Sequence, residues 1–176
     1  MMKTTALTLT LLLLSAACQP WAAGHRQQDG KPTVEAIYTG LHCGRSETSP
    51  QAKWVDDAQQ LEVSVKRIQR NILGSKPMDF GKLDFQHEFV LAIKMGQQPT
   101  LGHRIELLGT DGLRIAQKQA HITLNWAHPP ADALAAQMVS SPCLLLKLKR
   151  GDYTSVQIHD TQGTIRATAD KESSKE

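Results

Sequence analysis

The sequence predicts an α+β domain: one amphipathic helix packed on a mainly antiparallel β-sheet, or on a small partly open barrel, of about six to seven strands. Three observations predict it. Leu61, Val65, Ile68 and Ile72 recur at helical spacing and form one apolar stripe. Beyond that stripe the pattern is β to the end, mostly short runs with apolar residues at every second position. Gly- and Pro-containing breaks separate the alternating runs, and a helix segregated from a run of strands suits the α+β class.

Residues 34–38 alternate loosely and read as a first strand ending before Gly40. Residues 44–51 read as a polar loop with Cys43 at its entrance. Asp56 can cap the helix, with Gln59 as its capping-box partner, and Gly74 can end it. Lys66, Arg67 and Arg70 cluster toward the helix C-terminus, where the dipole favours cations; a solvated face explains them.

Residues 89–93 (Phe-Val-Leu-Ala-Ile) are an unbroken apolar run, short enough for a strand buried on both faces. Residues 104–107 and 113–115 alternate on either side of Asp111-Gly112, a hairpin-turn dipeptide. Ile122, Leu124 and Trp126 take one strand face, and His121, Thr123 and Asn125 the other. Residues 127–136 carry Pro129-Pro130 and no alternation, a long loop of the kind that is often functional. Leu144, Leu146 and Leu148 oppose Lys147 and Lys149; residues 154–158 and 164–167 form the last strands, joined through Gln162-Gly163.

The N-terminus reads as an export signal. Lys3 precedes an apolar run over residues 6–14 and the small residues Ser15-Ala16-Ala17. The run is too short to serve as a membrane span, which needs about 20 apolar residues. Two processing routes are open: ordinary cleavage near Ala17, or a lipoprotein box that lipidates Cys18, although Leu14 stands four residues before Cys18 where such boxes place it at three. The organisation expected is a signal peptide over 1–17, a tether over 18–32, one folded domain over 33–168 and a disordered tail over 169–176. The location expected is the periplasm or, through a lipid on Cys18, a membrane surface, the outer membrane of a Gram-negative bacterium above all.

The formal net charge of +3 neither demands nor excludes an acidic partner. Aromatic residues make up 5% of the chain, too few for a nucleic-acid stacking platform, so no nucleic-acid partner is expected. With Cys18 lipidated or removed, Cys43 and Cys143 remain in an oxidising compartment, either as a disulfide or as two core thiols. The seven histidines include no pair at helical metal-ligand spacing, so no metal site and no cofactor are expected; a metal would need ligands gathered by the fold. No nucleophile elbow or phosphate loop is present, and Asp79, Asp84 and Glu88 are close only in sequence; no catalytic residue is expected. Arg150-Gly151-Asp152 spells an adhesion tripeptide but occupies a position where a tight turn is required.

The loop Gln98-Pro99-Thr100-Leu101-Gly102-His103 interrupts two strong strand patterns and is longer than a tight hairpin needs. It is read either as a wide structural turn or as a partner-binding loop. Together with Asp79-Phe80-Gly81 and the strand ending at Gly96, it resembles the PrcB C-terminal domain family, exported bacterial proteins named after a lipoprotein subunit of a spirochaetal surface protease complex. The resemblance runs from about Tyr38 to Thr164. It departs from the family pattern at Leu101, where a second loop glycine is usual, at His103, where tyrosine is usual, and at Cys143, where an aromatic often follows the proline.

The resemblance implies a non-catalytic accessory protein of the envelope, associated with a protease or another envelope partner, that contacts this protein partner through residues 97–103. The loop is also similar, over five or six residues, to the cleft-inserting loop of chagasin-type cysteine-protease inhibitors. That likeness makes a periplasmic β-loop inhibitor the first alternative; an envelope-assembly lipoprotein of unknown role is the other.

Overall fold

The computed structural model describes residues 33–44, 47–69, 80–110 and 112–171. The export signal, Cys18, the tether, Ile72 and Gly74 of the expected helix, Asp79, Asp111 and the tail from residue 172 lie outside the described residues. Among those described, nine strands and one helix follow the order β1 (Val34–Gly40), β2 (Gln51–Val55), α1 (Ala58–Gln69), β3 (Glu88–Lys94), β4 (Arg104–Leu107), β5 (Leu113–Ala116), β6 (Gln119–Ala127), β7 (Cys143–Lys149), β8 (Ser155–His159) and β9 (Ile165–Asp170).

The α+β class and the mainly antiparallel pairing hold, but the single sheet or partly open barrel of about six to seven strands is corrected to two open sheets with nine strands among the described residues. One is antiparallel, in the order β1-β7-β3-β2; the other has the order β4-β6-β8-β9 with β5 also on β6. The second sheet contains one parallel pair, β6 with β8. Phe89, Leu91, Ile93, Leu144, Leu146 and Leu148 of the first sheet share one core with Ile122, Leu124, Val156 and Ile158 of the second. The opposite face of the first sheet, through Val90 and Leu145, packs on Leu61 and Val65 of α1. The result is three layers: helix, four-stranded sheet, five-stranded sheet.

This layering explains the sequence patterns. β3 and β7 are buried on both faces, so they read as near-continuous apolar runs. β6 is buried on one face only, and its burial alternates residue by residue. Strand β2 escapes sequence reading because only Trp54 and Val55 of its five residues are buried. Trp54 stacks on Phe89 with ring centroids 3.8 Å apart, and Tyr153 tilts against both rings. The Tyr153 hydroxyl donates to the Lys149 carbonyl at 2.5 Å, and burial pushes its pKa up to about 12.

Three local expectations are corrected. The helix cap is Asp57, not Asp56: its carboxylate accepts the Gln60 amide at 2.8 Å, and Gln60 rather than Gln59 reaches back, to the Asp56 amide. Asp56 instead accepts Trp54 Nε1 at 2.9 Å and Arg150 Nη1 at 2.6 Å. The β4–β5 hairpin expected across Asp111-Gly112 does not form, because β4 and β5 do not pair with each other. Both run antiparallel to β6, β4 on residues 124–127 and β5 on residues 119–122. The hairpin lies at Gln117-Lys118, with φ of 50° and 62°. Finally, β9 runs to Asp170, and Lys171 N donates to Thr154 O at 2.8 Å, so the folded part passes the boundary expected at 168.

Cys43 and Cys143 are disulfide-bonded, with Cα atoms 5.8 Å apart. The bridge closes a loop of 100 residues, which the chain-entropy account values at up to ~4.7 kcal/mol. It ties the end of β1 to the start of β7, beside Ile68 of α1.

The Gln117-Lys118 turn generates a prediction. Two side-chain-bearing residues hold left-handed φ where Asn-Gly is favoured. The double substitution Gln117→Asn, Lys118→Gly should stabilise the protein by about 1 kcal/mol, read by urea denaturation. Unchanged or lowered stability contradicts this reading of the turn.

Candidate functional site

The 97–103 loop begins where β3 leaves the buried sheet. Met95 N donates to Pro142 O at 2.8 Å, and Gly96 then turns the chain with φ 85°. A Cβ on Gly96 would lie 2.9 Å from backbone atoms of Thr48 and Ser49, so both the conformation and the close approach require glycine. Gln97 N donates to Glu47 O at 2.8 Å. Gln98 and Ser140 exchange reciprocal backbone bonds of 2.8 and 3.0 Å, and Leu101 N donates to Ala136 O at 3.1 Å. The loop is thus stitched to the 128–142 connection by backbone pairing.

Two buried serines reinforce the stitching. Ser140, 1% exposed, donates its hydroxyl to Thr100 O at 2.8 Å. The Ser141 hydroxyl donates to Gly44 O at 2.6 Å and accepts the Gly44 amide at 3.0 Å, while Ser141 O accepts Cys43 N at 3.0 Å. Residues 140–143 therefore clamp two loops and carry the disulfide. Their sequence signal is the polar Ser140-Ser141 pair, one proline before the apolar Cys-Leu-Leu-Leu opening of β7.

The six predicted loop residues divide by environment. Pro99 and Gly102 are exposed, while Gln98, Thr100 and Leu101 are half-buried. His103 is 8% exposed, with Nδ1 3.0 Å from His128 Nδ1 and Nε2 3.3 Å from the Thr100 hydroxyl. The rings meet edge to face at 5.1 Å between centroids. Burial, with a smaller contribution from the charge of His128, pushes the His103 pKa below its ordinary value. Gly102 has φ 96° and faces Pro129, closing the same clasp. Next to the clasp, Leu134, Met138 and Val139 present their side chains to solvent.

Other candidate groups are spent on structure. Asp84 accepts from the His87 ring at 2.7 Å and from the Gln86 amide at 3.0 Å, forming an exposed turn before β3. Arg150 of the adhesion-like tripeptide bonds the Asp56 carboxylate, the Asp56 carbonyl at 3.0 Å and the Phe85 carbonyl at 3.1 Å. That engagement fits the turn reading. Among the described residues no three His, Cys, Asp or Glu side chains gather as a metal-ligand group.

Residues 89–149, which hold the 97–103 loop and its supports, match the model of the PrcB C-terminal family. The chain carries a PrcB C-terminal domain over that span, narrower than the resemblance described above. The matched segment contains β3, the 97–103 loop, β4 to β6, the long connection and β7. No curated protein and no solved structure matches the chain.

Gly96→Ala should cost at least ~2 kcal/mol, from left-handed backbone strain and a clash with backbone that cannot rotate away. Thermal unfolding checks this, and a neutral variant contradicts the requirement for glycine. For His103, a depressed folded pKa means that the unfolded chain binds the proton more tightly. The associated stability is present above the unfolded pKa of about 6.5 and is lost as pH falls through the folded value. Imidazole NMR titration should find His103 below its ordinary value, and His128→Gln should move it upward; an ordinary value in the parent protein contradicts the clasp.

Proposed function

We propose that the protein is a non-catalytic binding domain of the bacterial envelope that contacts a protein partner through the 97–103 loop. One observation carries the reading. The loop backbone is pinned through Gln97, Gln98 and Leu101 while Pro99 and Gly102, with the adjacent Leu134, Met138 and Val139, face outward. A loop held in one conformation loses little entropy on binding, and exposed apolar side chains beside it supply contact area. A protease or a protease-associated subunit is the partner class in keeping with the PrcB C-terminal domain.

The disulfide supports an oxidising, extracytoplasmic location. We propose export through the segment 1–17, with Cys18 as the lipid attachment point and residues 18–32 as the tether. The β-loop inhibitor remains the second reading, favoured by the exposed Pro99 at the tip of a pinned loop.

A photo-crosslinking residue placed at Thr100 or Leu134 in envelope preparations should yield a discrete protein adduct. One placed at Glu62, on the exposed face of α1, should not. The same adducts from all three positions, or none from the loop, contradict the proposal. Protease inhibition weakened at least about tenfold by Pro99→Ala selects the inhibitor reading.

A further inference from the structure

The fold brings together two histidines that the sequence keeps 38 positions apart. His121 lies on the outward face of β6 and His159 at the end of β8, on neighbouring parallel strands. His121 Nδ1 and His159 Nε2 are 3.1 Å apart, with ring centroids at 5.3 Å. His159 Nδ1 lies 3.3 Å from the Gly163 carbonyl. A carbonyl can only accept, so that nitrogen carries the proton and Nε2 holds a lone pair aimed at His121. A backbone carbonyl that orients the far nitrogen is the usual second contact of a metal-binding histidine.

We propose that His121 and His159 form a two-histidine site for a divalent transition-metal ion, Cu2+ foremost. Two imidazole nitrogens, each bonded to one metal at ~2.0–2.1 Å, stand about 2.8–3.4 Å apart for bond angles between square and tetrahedral. The observed separation falls inside that interval without strand movement. In the metal-free protein the same separation serves an N–H···N hydrogen bond. Metal binding moves the His121 proton from Nδ1 to Nε2 and fills the vacated lone-pair direction, with no net proton release.

Imidazole pairs suit Cu2+, Ni2+ and Zn2+, and affinity for a given site peaks at Cu2+. The support is stiff: strands carry both side chains, and Asp160, 3% exposed, locks the turn after β8. Its carboxylate accepts Gln162 N and Thr164 N at 2.9 Å and Arg166 Nε at 2.8 Å. Both rings are half-buried, which leaves room for water to complete the coordination. The other close pair lacks that room, because His103 is 8% exposed. Arg114 pairs with His121 across the strands, and its charge opposes a bound cation.

The test is a Cu2+ titration of the purified full chain, followed by calorimetry and by paramagnetic broadening of amide resonances. One equivalent should bind, with broadening centred on β6 and on the turn after β8. His121→Gln and His159→Gln should each weaken binding at least about tenfold, since either change removes the chelate. Arg114→Gln should tighten it. Undiminished affinity in either histidine variant, or broadening centred on His103 and His128 or on the chain's first residues, overturns the proposal.

Discussion

Burial of β3 and β7 on both faces is the constraint on which the rest of the structure depends. These strands form the middle of the three-layer arrangement, with α1 against one face and the five-stranded sheet against the other. Every side chain from Phe89 to Leu91 and from Cys143 to Leu146 is buried, and the flanking strands β1 and β2 cover the two edges. Fully burying one such aliphatic side chain contributes about 1.5–3 kcal/mol, so this pair dominates the local energetics. A strand buried on both faces cannot carry polar side chains without partners, and polar residues therefore concentrate where the strands leave the core.

Those exits are where the distinctive geometry appears. β3 leaves at Gly96 and β7 enters at Cys143, side by side, because Lys94 pairs with Cys143 in the ladder. The 97–103 loop and the 128–142 connection emerge together and continue pairing beyond the sheet, through Gln98 and Ser140. The disulfide and Ser141 bind the end of β1 to the same place. At the opposite end of the β3–β7 pair, Arg150 joins β7 to Asp56 before the helix and to Phe85 before β3. This ion pair is about three-quarters shielded on both sides, so it acts as a positioned, hydrogen-bonded contact rather than a solvated surface pair.

The parts of this fold legible in the sequence are those with a strong period. The β3 run, the β6 alternation and the Leu61, Val65, Ile68 stripe all stand in the structure as their spacing implies. What escaped has specific causes. β2 has too few buried residues to show a period. Asp111-Gly112 carries hairpin chemistry, yet β6 takes β4 and β5 one after the other along its length, and the reversal falls at Gln117-Lys118, whose residue types give no signal. The cap moved from Asp56 to Asp57 because Asp56 is claimed by Arg150, 94 residues away. The candidate loop was legible through Pro99 and Gly102, but its supports, Ser140 and His128, come from a connection that topology alone brings alongside.

The central claim is that the 97–103 loop is a preformed extension of the buried sheet rather than a mobile turn. Amide hydrogen exchange tests it most directly. Gln98, Leu101 and Ser140 donate the bonds that define the loop, so their amides should be protected well above unstructured peptide and should open cooperatively with the end of β7. Exchange of all three at the rate of an unstructured chain, with β7 still protected, would contradict the account.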